Sequence, residues 1–156
     1  MAGNGNIISI TNPLGGPTGS EELYTGMAVG NAGRLSGRYG FLGGTMNCGT
    51  SPGCVVFGSR NLVQSNFGTC FGANNYLSAT SLYSAVIAGI DNIIGTQNSV
   101  IAGSHNKSHN KPKDSSSYNR FLLGEGLLAD DVRYGDNLFI IGKYNTLPSL
   151  YNKFTC

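Results

Sequence analysis

The chain has 156 residues, enough for one domain of ordinary size. Ten basic and eight acidic side chains leave a formal charge of +2, and charged residues are only 12% of the chain. That balance lacks the clustered basic footprint of a nucleic-acid partner, and it leaves much of the surface neutral polar or covered by partners. No apolar stretch approaches the ~20 residues of a membrane helix, so membrane insertion is not expected. The start, Met1 to Asn6, lacks the basic region and apolar core of an export signal. The chain is therefore expected to stay in the cytosol where it is made, or to be a fragment.

Residues 1–15 hold one short strand pattern, Ile7-Ile8-Ser9-Ile10. They read as an N-terminal segment that attaches to a larger assembly or is exchanged between chains. From residue 16 a period sets in. Gly16, Gly30, Gly44, Gly58 and Gly72 are fourteen residues apart, and Gly89 to Gly103 repeats the interval. Most of these glycines close a short apolar run: Met27-Ala28-Val29 before Gly30, Val55-Val56-Phe57 before Gly58, and Val86-Ile87-Ala88 before Gly89. Phe121-Leu122-Leu123 before Gly124 and Phe139-Ile140-Ile141 before Gly142 continue the series. A helical hairpin needs ~30 residues or more, so this period fits one circuit of a β-solenoid instead. About nine coils at ~4.8 Å would make a body ~40 Å long.

Three residues after the phasing glycine comes asparagine, at Asn47, Asn61, Asn75, Asn92, Asn106 and Asn145. Asparagine tolerates left-handed backbone and bonds locally, so the spacing reads as a recurring turn. Stacked coil on coil, the amides can also form a ladder. Gly33 fills the same slot, as expected where φ is positive. Gly26, Gly40 and Gly68, four residues before a phasing glycine, mark the opposite corner. The strand between is apolar on both faces: in Asn98-Ser99-Val100-Ile101-Ala102-Gly103, Val100 and Ala102 point one way and Ile101 the other. One face fills the coil. The other needs cover, most simply from sister chains in a closed ring of three.

Three intervals exceed fourteen residues: Gly72 to Gly89, Gly103 to Gly124 and Gly124 to Gly142. Extra residues in a solenoid are expected to bulge outward while the coil is kept. The longest insert gives a polar, basic surface loop over 104–118. Its His105, Lys107, His109, Lys111 and Lys113 are candidate partner contacts, because loops on rigid scaffolds carry function. The two histidines have no nearby ligand at metal spacing and read as solvated. Asp130, Asp131 and Asp136 form the acidic cluster, read as a charged corner rather than as paired catalytic carboxylates. Cys48, Cys54, Cys70 and Cys156 read as free thiols, with a Cys48–Cys54 disulfide as the alternative. No nucleophile elbow, phosphate loop, zinc motif or dinucleotide fingerprint is present, so neither a cofactor nor catalysis is expected.

The unit Asn98-Ser99-Val100-Ile101-Ala102-Gly103 resembles the head repeat of YadA-like trimeric autotransporter adhesins, and Asp136 to Asn145 looks like the same repeat. Similar head-type repeats occur in phage head and tail fibres. The resemblance covers roughly Gly16 to Asn145. It implies an all-β, left-handed parallel β-roll of fourteen-residue coils over 16–145, a tight homotrimer, and no catalysis, with 146–156 as a C-terminal tail. It points to a structural virion protein, a fibre or decoration module at the virion surface. Its partners would be other virion proteins and a host-surface glycan or protein. The head of a bacterial surface adhesin and a polysaccharide-degrading spike are the alternatives.

Overall fold

The computed structural model describes residues 3–8, 26–36, 39–109, 119–130, 137–144 and 146–147. Among them every regular element is a strand. In chain order these are β1 (Ile7–Ile8), β2 (Met27–Asn31), β3 (Arg34–Leu35), β4 (Phe41–Thr45), β5 (Cys48–Gly49) and β6 (Val55–Ser59). Then follow β7 (Leu62–Val63), β8 (Thr69–Ala73), β9 (Tyr76–Leu77), β10 (Ala85–Ile90), β11 (Ile93–Ile94) and β12 (Ser99–Ser104). The last are β13 (Lys107–His109), β14 (Asn119–Glu125), β15 (Leu128–Asp130), β16 (Asn137–Lys143) and β17 (Thr146–Leu147). Long and short strands alternate. The long ones form an eight-stranded sheet, β2 to β16, and the short ones a nine-stranded sheet, β1 to β17. All pairings are parallel and join each coil to the next. The chain is an all-β solenoid of about fourteen residues per turn. Eight long strands at the usual spacing span roughly 34 Å along the axis.

Alternation puts one residue of each of the first five long strands inside and two of each of the last three. Ala28, Leu42, Val56, Cys70, Val86, Ile101, Leu122 and Ile140 form one buried file. Leu35, Val63, Leu77 and Ile94 face it from the short sheet. The core is a narrow column between two sheets rather than a broad slab.

The longer intervals leave the sheet register intact. Ser99 to Ser104 pairs residue for residue with Arg120 to Glu125, although 21 residues separate Gly103 from Gly124. The 17-residue interval is absorbed partly by a bulge in β10, where Ile87 is the extra residue between Val86 and Ala88.

Two sequence expectations are corrected by the backbone. Residues 3–8 belong to the roll: β1 pairs with β3, and Asn4 O accepts a hydrogen bond from Ala32 N at 2.8 Å. Gly3 and Asn6 have the Gly-x-x-Asn spacing and take its place in the stack, so the roll includes residues assigned to a separate attachment segment. The 104–118 stretch is likewise not all loop. Ser104 ends β12, and 107–109 form β13 between β11 and β15. Lys111, Lys113, Gly16, Asn145, Asp131, Asp136, Cys156 and most of the C-terminal tail lie outside the described residues.

Candidate assembly surface

The recurring glycine and asparagine are one device. The phasing glycines sit inside the long strands rather than at corners, and all those described except Gly89 have φ between +106° and +145°. A Cβ on any of those from Gly30 to Gly124 would collide with the carbonyl oxygen of the phasing glycine in the next coil: Gly44 with Gly58 O, Gly72 with Gly89 O, Gly103 with Gly124 O. The same oxygen accepts the asparagine amide of the preceding coil. Asn47 Nδ2 donates to Gly58 O at 2.9 Å, Asn61 Nδ2 to Gly72 O at 2.8 Å, and Asn92 Nδ2 to Gly103 O at 2.8 Å. Glycine recurs because that oxygen occupies the space where its side chain would be.

The asparagines form a buried ladder. Each Oδ1 accepts both the backbone N–H and the side-chain amide of the next rung, as between Asn47 and Asn61 (3.0 and 3.1 Å) and between Asn61 and Asn75 (3.0 and 3.0 Å). The run continues through Asn92 to Asn106. Leu127 takes the slot after that, and its backbone N–H donates to Asn106 Oδ1 at 2.9 Å. At the other end Asn6 donates to Gly30 O and accepts from Gly33 N.

The left-handed turn residue lies one position before the asparagine. Ala32, Met46, Arg60, Asn74, Asp91, His105 and Tyr144 have φ of 52 to 57°. Gly33 has no positive φ; its small size makes room for Asn6 Oδ1. At the opposite corner the left-handed residues are Tyr39, Gly53, Phe67, Tyr83 and Asn98, not Gly26, Gly40 or Gly68. Those three glycines make room for inward side chains, Leu35 against Gly26 and Gly40, and Val63 with Ser65 against Gly68. Bulky residues rarely take this conformation. Here the corner residue's N–H bonds to a carbonyl of the coil before it, as Met46 does to Asn31 and His105 to Ile90 (both 2.9 Å).

His105 stands exposed at its corner, with Nε2 3.4 Å from Asp91 Oδ2. Lys107 lies half-buried on the outer face of β13. His109 and Asp130 are register partners between β13 and β15. The described loop candidates, His105, Lys107 and His109, are therefore spread along a corner and a strand. On the next coil Lys143 Nζ lies 3.3 Å from Glu125 Oε2, and the Tyr144 hydroxyl donates to Glu125 Oε1 at 3.0 Å. That hydrogen bond and the lysine hold the Glu125 carboxyl below its usual range.

The interior holds a polar stretch that the sequence did not announce. Thr96 Oγ1 lies 2.7 Å from Ser99 Oγ and 2.6 Å from Ser108 Oγ. Buried Arg120 donates from Nη1 to Ser108 Oγ at 3.3 Å and to Ala129 O at 2.9 Å. Alternation with Leu122 places Arg120 on the inward face, yet nothing in its charged side chain announces that it is buried. Cys48, Cys54 and Cys70 are free thiols. Burial pushes Cys70 up to about 12 and raises Cys54. Among the described residues no group of three or more His, Cys, Asp or Glu could hold a metal ion, and no helix is long and apolar enough to cross a membrane.

The largest chemical feature left is the outer face of the long sheet. One file runs through Met27, Phe41, Val55, Thr69, Ala85, Val100, Phe121 and Phe139; the other runs through Val29, Gly43, Phe57 and Phe71 and, past the bulge at Ile87, through Ala88, Ala102, Leu123 and Ile141. Rings stack along the axis: Phe41 on Phe57 at 5.0 Å, Phe57 on Phe71 at 5.5 Å, Phe121 on Phe139 at 5.0 Å. Phe57 and Phe71 are each 37% exposed and Ile87 is 54% exposed. The two files carry no charged residue. With aromatic side chains of 150–250 Å², the wall presents roughly 600 Å² of apolar surface. That is at the upper end of the largest patch on a typical monomer, about 300–600 Å².

No protein-family model, curated protein or solved structure matches the chain. The fold and this wall are the basis for a functional reading.

Proposed function

We propose that the chain is a structural module, a left-handed β-roll that assembles as a homotrimer. In this reading it builds or tips a fibre, or decorates a capsid, at the surface of a virion assembled in the host cytoplasm. The carrying observation is the uncharged aromatic wall along a scaffold whose polar backbone is satisfied coil to coil. Such a wall favours cover by another chain, because leaving it wet forfeits the gain of burying about 600 Å² of apolar surface. The likeness of Asn98 to Gly103 to adhesin and fibre head repeats supplies the virion assignment. The corner carrying His105 would then face outward, toward a host glycan or protein. The module has no catalytic role in this reading.

Immunogold labelling of the producing culture tests it. Gold on released particles is the expected result. Gold confined to the cell envelope would favour a bacterial adhesin head, and gold on neither would overturn both.

A further inference from the structure

The roll has a second outer wall. On the short sheet, Cys48, Leu62, Tyr76 and Ile93 stack in register and point outward, while Val63, Leu77 and Ile94 point in; Lys107 follows Ile93, and Leu128 lies beyond it. Leu62, Tyr76 and Ile93 lie on the same coils as Phe57, Phe71 and Ile87 of the long wall. Charge enters this file at Arg34 and Lys107, on either side of Cys48 to Ile93.

We infer that copies of this chain meet head to tail around a ring, the long wall of one copy against the short wall of the next. The inference rests on the assembly proposed above and adds which surfaces meet. Three features support it. A two-fold contact of long wall on long wall would leave the short wall of both copies wet, whereas a cyclic contact covers both walls of every copy. Both sheets also repeat at the same coil spacing, so rings of one copy can settle between rows of the other along the whole stack. Finally, roughly 600 Å² on the long wall approaches the ~800 Å² that each partner contributes to a standard stable interface.

Paired wall variants test this by light scattering coupled to size exclusion. The long-wall variant carries Phe57→Arg and Phe71→Arg; the short-wall variant carries Leu62→Arg and Ile93→Arg. Circular dichroism and protection of the Cys70 thiol show that each is folded. The wild type is expected to assemble, each variant alone to run as a monomer, and their equimolar mixture to form a two-chain species through its one intact contact. If an arginine pair fails to fold, the milder Leu62→Ser with Ile93→Ser should weaken association at least tenfold. A short-wall variant that keeps the wild-type mass, or a mixture that stays monomeric, would overturn the head-to-tail contact while leaving assembly standing. A monomeric wild type would overturn assembly itself.

Discussion

Gly72 shows why a position can demand glycine for a reason other than a turn. Its φ of +130° and the Gly89 carbonyl beside it both exclude a side chain. Gly72→Ala should lower unfolding free energy by about 3 kcal/mol or more in urea melts, since backbone on both sides must move. Gly53, with φ of +69°, lies under the Phe67 ring; Gly53→Asn should cost less, about 1 kcal/mol, because asparagine adopts that backbone and the ring can yield. Asn75 bonds upward and downward at once, to Asn61 Oδ1 and Gly89 O and from Asn92. Asn75→Ala strands several buried groups and should cost about 2–4 kcal/mol by the same measurement. Cys70 gives a pH dependence of definite sign. Burial raises its pKa to about 12, so the folded state holds the proton longer than the unfolded chain. Its contribution is complete below the ordinary thiol range and is lost as pH rises toward 12, at about 1.4 kcal/mol per pH unit. Cys70→Val should flatten the alkaline limb of the stability profile; an unchanged limb would contradict the burial argument.

The repeating element is the coil, and its period can be cut. Deleting fourteen residues, 45–58, joins Gly44 to Ser59 in phase. That protein should retain the strand spectrum and cooperative melting with a lower midpoint, whereas a thirteen-residue deletion, 45–57, should lose cooperative melting. Equal behaviour of the two would count against the stack. Much of the element was legible in the sequence. The glycine interval set the coil, and the alternation in Val100-Ile101-Ala102 told inside from outside. The left-handed residue was not legible. Propensity places it on asparagine, yet it falls on Met46, Arg60 and His105, whose side chains reveal nothing about φ. Here cross-coil hydrogen bonds override local preference. Another signal was present but unread: an aromatic fourteen residues after a glycine, Phe57 after Gly43 and Phe67 after Gly53, where the ring lies over the bare backbone of the coil before. Gly3 and Asn6 likewise carried the Gly-x-x-Asn spacing. Alternation with Leu122 put Arg120 on the inner face, but the partners that accept its charge there, Ser108 and Ala129, are brought near only by the fold.

At the scale of the molecule, the roll is a short prism with two apolar outer walls and with corners that mix polar residues with exposed Tyr39, Met46, Phe67 and Tyr83. Sequence patterning showed that the long strands were apolar on both faces, but not that the short strands also carry an outward apolar file, since two-residue strands leave little alternation to read. Assembly is the claim on which the functional reading depends, and mass in solution tests it most directly. Sedimentation velocity on the wild-type chain across a micromolar concentration series should give a single species near 49 kDa, three times the 16.3 kDa of one chain. A species of 16.3 kDa at every concentration would contradict it.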